Sequence, residues 1–179
     1  MTVATLLQID LQNLFYGARN KGEKVDFEKI MEYFNGRESE FLVDSIVYMI
    51  RSPSFDSKKF EVTLKKMGYN LRIKNATKVV SKNRVTYRQS NQDIPIAVDC
   101  LNKIDTFDKL ILMSGDGDFA YLCEDLKKKG KQIEIWSFRE CYNSLLSSFA
   151  DKVCYIEEES FFYKRPKISV FGMNKGELR

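Results

Sequence analysis

An α/β domain, with a mostly parallel central sheet and helices on both faces, is what this sequence predicts, and three observations carry it. Short apolar runs alternate with amphipathic helical patterns along nearly the whole chain, the order expected of strand–helix–strand units. The central run, Leu110 to Met113, is apolar at every position, as in a strand buried on both faces. Ser114, Gly115, Asp116 and Gly117 then break the chain just past that run, where open α/β sheets bind their ligands.

The elements follow in order. Leu6 to Ile9 is a first strand with Asp10 at its carboxyl end, and Gly17 to Lys24 is a polar loop. Asp26 caps a helix whose inner face is Phe27, Ile30, Met31 and Phe34, ending near Gly36. Leu42 to Ile50 is a Val- and Ile-rich strand; Pro53 and Ser54 punctuate, and Phe60, Leu64 and Met67 face inward on the next helix. Tyr69 to Ile73 is a third strand, and Val79-Val80 can pair with Val85 to Tyr87 as a hairpin across Lys82 and Asn83. Ile94, Ala97, Val98, Leu101 and Ile104 mark a helix with Pro95 in its first turn. Past the central strand, Phe119, Leu122, Cys123 and Leu126 recur at helical spacing up to Gly130. Ile133 to Phe138 is a strand, Leu145, Leu146 and Phe149 a short helix, and Val153 to Ile156 a last strand. The domain is expected over residues 1–160, with 161–179 a basic extension that could add an edge strand at Lys167 to Phe171.

Composition narrows the chemistry. The 179 residues are 44% hydrophobic and 30% charged, with a net charge of +4, which fits one globular domain. No apolar run approaches the roughly 20 residues of a membrane span, and the N-terminus reaches Asp10 too early for a signal peptide. A cytoplasmic protein with no membrane partner is therefore expected. Cys100, Cys123, Cys141 and Cys154 are widely spaced, as buried free thiols in a reducing compartment rather than a zinc site. The chain has no histidine, which excludes Ser-His-Asp and Cys-His catalysis and a histidine general base.

Carboxylates are the candidates that survive. Asp10, Asp116 and Asp118 fall at carboxyl ends of strands, and Asp93 opens the helix leading into the central strand. Such acids can meet on one rim and hold a magnesium or manganese ion through hard oxygen ligands. Capping and turn formation account for single aspartates there equally well. From Val62 to Gln92 there is no acidic residue, whereas Lys65, Lys66, Arg72, Lys74, Lys78, Lys82, Arg84 and Arg88 lie in the same span with Tyr69 and Tyr87. That is the footprint of a surface tracking a nucleic-acid backbone, with aromatic rings available for stacking.

Three segments, Ile9 to Leu14, Asn91 to Leu101 and Ser114 to Phe119, occur in this order, and with them the chain resembles an NYN domain of the LabA-like group, in the PIN-like nuclease superfamily. The resemblance runs from about Leu6 to Ile156. It implies a three-layer PIN-like (Rossmann-like) fold and a Mg²⁺- or Mn²⁺-dependent ribonuclease, presumed endonucleolytic in its cut, that hydrolyses RNA phosphodiesters with a metal-activated water. By position it makes Asp10, Asp93, Asp116 and Asp118 the catalytic and metal-binding acids. Asn13 would orient the first aspartate or the phosphate, and Ser114 would contact a carboxylate or water; with Lys78, Lys82, Arg84 and Arg88 they form the expected substrate-binding set. Asp99 lies about 240° round its helix from Asp93 and is assigned to a supporting position. Leu11 and Gln12 stand where the family has smaller residues, and Asn91 and Gln92 where many relatives have Lys-Gly.

The expected partner is RNA, single-stranded or structured. A homodimer is left open, with Phe161, Phe162 and Tyr163 as its contact, against packing of that cluster onto the chain's own core. The alternative function is a catalytically weak or inactive PIN-like module acting through RNA or protein partners. A haloacid-dehalogenase-like phosphatase is disfavoured by Gln12, where an aspartate belongs, and a Toprim-like site by Asp10, where a glutamate belongs.

Overall fold

The computed structural model describes residues 2–51, 56–81, 84–88 and 91–164, except for the side chains of 81, 84–88, 163 and 164. Strands β1 (Val3–Asp10), β3 (Glu40–Arg51), β4 (Asn70–Asn75), β7 (Lys109–Met113), β8 (Gln132–Ser137) and β9 (Lys152–Tyr155) form one sheet in the order β4-β3-β1-β7-β8-β9. Every neighbouring pair in it is parallel. The first half of the chain builds outward from β1 on one side and the second half on the other, so β1 and β7 lie side by side where the winding reverses.

Alternate residues of these strands face two separate cores. Leu7, Ile9, Ile111 and Met113 pack with Leu14 of helix α1 (Leu11–Asn20), Phe34 of α2 (Phe27–Asn35) and Leu64 of α3 (Lys58–Lys66). Leu6, Leu110 and Leu112 pack with Ile96 and Cys100 of α4 (Asp93–Asn102) and with Cys123 and Leu126 of α5 (Ala120–Lys128). A strand buried on both faces has no polar side to expose, which is why β7 is apolar from Leu110 to Met113. The result is the predicted three-layer α/β fold. No helix among the described residues is long and apolar enough to cross a membrane. All four cysteines are free, and burial pushes the Cys100 and Cys123 thiols up to about 12.

Two local expectations need correction. The chain from Leu11 to Asn20 is helical, so the polar loop predicted from Gly17 shrinks to a tight turn before β2 (Glu23–Val25). Gly17 reads as a breaker in isolation, but here it is a contact: a Cβ would stand 2.1 Å from the Phe138 ring. The residues whose spacing marked α4 are divided: Ile94 is 74% exposed and Val98 and Leu101 are also exposed, Ala97 and Ile104 pack against the core, and Ile96 and Cys100 are buried. Apolar residues occur all round this helix, and its charges decide the rotation. Asp99 takes two bonds from Arg72, at 2.7 and 3.0 Å, and one from the Tyr48 hydroxyl at 3.1 Å.

The predicted hairpin is present as β5 (Thr77–Ser81) and β6 (Arg84–Arg88), with Val80 opposite Val85. Pro53, Ser54, Lys82, Asn83 and the strand expected at Lys167 to Phe171 lie outside the described residues. Phe161 is buried against Tyr33, Phe34 and Trp136, and β10 (Phe162–Lys164) pairs antiparallel with β2. Phe161 and Phe162 thus pack onto the chain's own core.

Gly17→Ala will gain about 1 kcal/mol of helix propensity but must displace a fully buried ring, at about 1–3 kcal/mol. Net destabilisation of up to about 2 kcal/mol in urea unfolding is expected, and adding Phe138→Leu should restore part of it; a stabilised single variant would contradict the contact.

Candidate active site

The crevice forms where β1 and β7 end together. Ile9 is paired with Met113, so the next residues, Asp10 and Ser114, leave the sheet side by side. Asp10 ends its strand by capping α1: its Oδ1 accepts from the Gln12 and Asn13 backbone N–H groups at 3.1 and 3.3 Å. Its Oδ2 accepts from the Ser114 hydroxyl at 3.3 Å, and Ser114 Oγ in turn accepts from the Asp116 N–H at 3.3 Å. Asp116 then caps the short 3₁₀ turn Gly117–Phe119 by accepting from the Asp118 N–H at 3.0 Å.

This turn is pinned from both sides. Asn13 Oδ1 accepts from the Gly115 N–H at 3.2 Å, and the Gly115 carbonyl accepts from the Asn143 N–H at 2.9 Å. A Cβ on Gly115 would lie 2.2 Å from Ser137 Oγ and 2.3 Å from the Cys141 carbonyl oxygen, so the backbone approaches too closely for a side chain. Asn91 donates through its side-chain amide to Asp93, and the buried Gln92 amide donates to the Met49 carbonyl at 2.7 Å. Gln92 thereby fastens the start of α4 to β3, while the Asn91 bond stays within the turn that opens the helix.

Carboxylate oxygens of Asp93, Asp116 and Asp118 all lie within 4.8 Å of one another. Asp10 is outside this trio, only 6% exposed, and its carboxyl is pushed up chiefly by burial. Asp93 is raised from its ordinary 3.8 to about 6, by burial first and then by the charges of Asp116, Asp10 and Asp118. A like-charge cluster of this kind is stabilised by protons or by a cation. The donor set is all hard oxygen, with two residues partly buried and one exposed, and this fits a divalent ion of the magnesium class.

The other expected residues divide. Ser114 sits in the turn itself, and Asn13, in the first turn of α1, accepts from its Gly115 N–H. Asp99 faces Arg72 and Tyr48, away from the trio, so this arginine of the basic span is occupied by an ion pair. Lys78 is exposed on β5. Lys82 lies outside the described residues, and Arg84 and Arg88 are described only as backbone of β6. Gln92, Ser137 and Asn143 escaped sequence reasoning because each acts across the fold on backbone it does not adjoin.

Because the folded state holds the Asp93 proton more tightly, its charging costs stability as pH rises from about 4 to about 6. Asp93→Asn is expected to flatten that fall and to raise the metal-free Tm at pH 7 by about 2–4 °C, roughly 1 kcal/mol after allowance for solvent screening. A Tm that drops in thermal unfolding at pH 7 would contradict the repulsion.

Comparison with known proteins gives the family. The family model of the NYN domain matches residues 4–157. Low amplitude and bright protein LabA of Synechococcus elongatus is 30% identical over 131 residues, which cover 72% of this chain and 70% of that protein. The crystal structure of VPA0982, a protein of unknown function from Vibrio parahaemolyticus, superposes with a TM-score of 0.75 at 21% identity, covering 90% of this chain and 97% of that one. This likeness shows a shared fold. The chain belongs to the NYN domain family and is LabA-like within it.

Proposed function

We propose that this protein is a metal-dependent ribonuclease that hydrolyses RNA phosphodiester bonds at the β1–β7 crevice. One observation carries the reading: Asp93 at the start of α4 and Asp116 and Asp118 in the turn after β7 have carboxylate oxygens within 4.8 Å of one another, at the topological switch point where open α/β sheets bind ligands. Membership of a family whose members are generally nucleases supports it.

In this reading Asp93, Asp116 and Asp118 hold the cation, Mg²⁺ or Mn²⁺, and the buried charge of Asp10 adds to the field they feel. When bound, such an ion supplies Lewis acidity and lowers the pKa of water. The protein's own part is positional. Ser114 links Asp10 to the backbone of Asp116, and Asn13 and Asn143 hold Gly115 between them, so the acids keep their spacing. Lys78, together with Lys82, Arg84 and Arg88 of the hairpin segment, draws in the RNA backbone, and the chain runs from this hairpin straight into Asp93.

The deciding experiment is cleavage of a labelled single-stranded RNA pool in Mg²⁺, Mn²⁺ or EDTA. Wild type should cut only with metal, and Asp116→Asn should lose about 100-fold or more of the rate. RNA that is bound but left intact under every metal would favour a regulatory binding module instead. Lys78→Ala should weaken binding of all sequences alike and reduce the salt slope, d log K/d log[salt], by about 0.7 for a single strand. An unchanged slope would remove Lys78 from the phosphate path.

A further inference from the structure

We propose that the cleft between α4 and α5 is a nucleobase pocket, taking the base of a nucleotide that flanks the phosphate at the acidic crevice. This rests on the reading of the crevice as an RNA-cleaving site and names where its substrate's bases go.

The cleft has a volume of about 530 Å³, within the range of small-ligand sites, about 300–1,000 Å³. It is continuous with the crevice, because Asp93 and Asp118 line both. Its walls are apolar: Ile94, Ala97 and Leu101 from α4, and Tyr121 and Leu122 from α5. Ile94 is 74% and Tyr121 82% exposed at its rim. These residues face outward because Asp93 and Asp99 fix the rotation of α4, leaving an apolar stripe beside a polar centre. An exposed apolar patch in such a place marks a contact surface.

The charges in the lining select among occupants. Asp93, Asp118 and Asp125 contribute to it, Asp125 being paired with Lys129 at 2.7 Å, and among the described residues no lysine or arginine lines it. The lining therefore offers a phosphate no described cation, whereas a neutral planar base gains burial of its faces and a stacking partner in Tyr121. The described cation of the hairpin preceding α4, Lys78, lies on β5 and is not part of this lining. A strand can then run with its phosphates toward the hairpin and crevice and one base turned into the cleft.

The test uses the full chain and a short single-stranded RNA with 2-aminopurine placed at successive positions. Binding is read by fluorescence in Ca²⁺, and cleavage is read in Mn²⁺. One position should be quenched on binding by wild type. Tyr121→Ala should abolish that quenching and raise Kd and KM about tenfold while moving kcat far less; Tyr121→Phe should retain both. An abasic nucleotide at that position should cost wild type the same factor and cost Tyr121→Ala almost nothing. Absence of quenching at every position, or unchanged affinity for the abasic RNA, would overturn the pocket. So would a change of molecular mass in light scattering for Tyr121→Ala or Leu101→Ser without an effect on RNA, which would make the cleft a protein interface. If wild type binds but does not cut, the ribonuclease reading fails while the quenching still decides the pocket.

Discussion

The parallel pairing of β1 with β7 is the constraint on which the rest depends. These strands are distant in sequence, and their adjacency exists only because the chain winds outward from β1 in one direction and then returns to wind in the other. At that reversal the loops leaving the two strands diverge and open a crevice. The register of Ile9 with Met113 sets Asp10 beside Ser114, and the hydrogen bonds from Ser114 to Asp10 and from Asp116 to Ser114 turn a pairing of backbones into a spacing of carboxylates. A shift of one residue would send Asp10 to the other face of the sheet.

The two ends of the sheet treat buried acid in opposite ways. Toward the amino ends, Glu134 is 3% exposed and receives Arg37 at 2.7 and 3.0 Å and Trp136 Nε1 at 2.7 Å, with Lys109 and Lys152 nearby. Its carboxyl is held down to about 2, against the cost of burial, by the Arg37 guanidinium first. At the carboxyl ends, the trio has neighbouring carboxylates and no cation of the described side chains among them, and Asp93 is pushed upward instead. A buried ion pair is neutral overall and holds α2 to the sheet; an unbalanced cluster destabilises the chain alone and becomes favourable only with a ligand of opposite charge. The contrast sets an acid neutralised by cations against a cluster of like charges within one sheet.

Much of this was legible in the chain. The apolar run before Ser114 named the central strand, Asp26 followed by its helical pattern named α2, and the valines on either side of Lys82 and Asn83 named the hairpin, because local periodicity and turn chemistry act within a few residues. The errors have local causes too. Gly17 looked like a loop residue because its reason, the Phe138 ring, is more than a hundred positions away. The rotation of α4 could not be read from hydrophobicity, because that helix is apolar on more than one side.

By itself the sequence determined the fold class, the places where strands end in acid, and the exclusion of histidine chemistry, all of which follow from residue type and short-range order. Only the tertiary structure decided which acids stand together. Asp93 joins Asp116 and Asp118, Asp10 lies buried beside them, and Asp99, on the same helix as Asp93, turns away to Arg72 and Tyr48. Spacing along a chain fixes an angle on a helix, but where that angle points depends on which neighbours can neutralise the charges it carries, and those neighbours are brought in by the sheet.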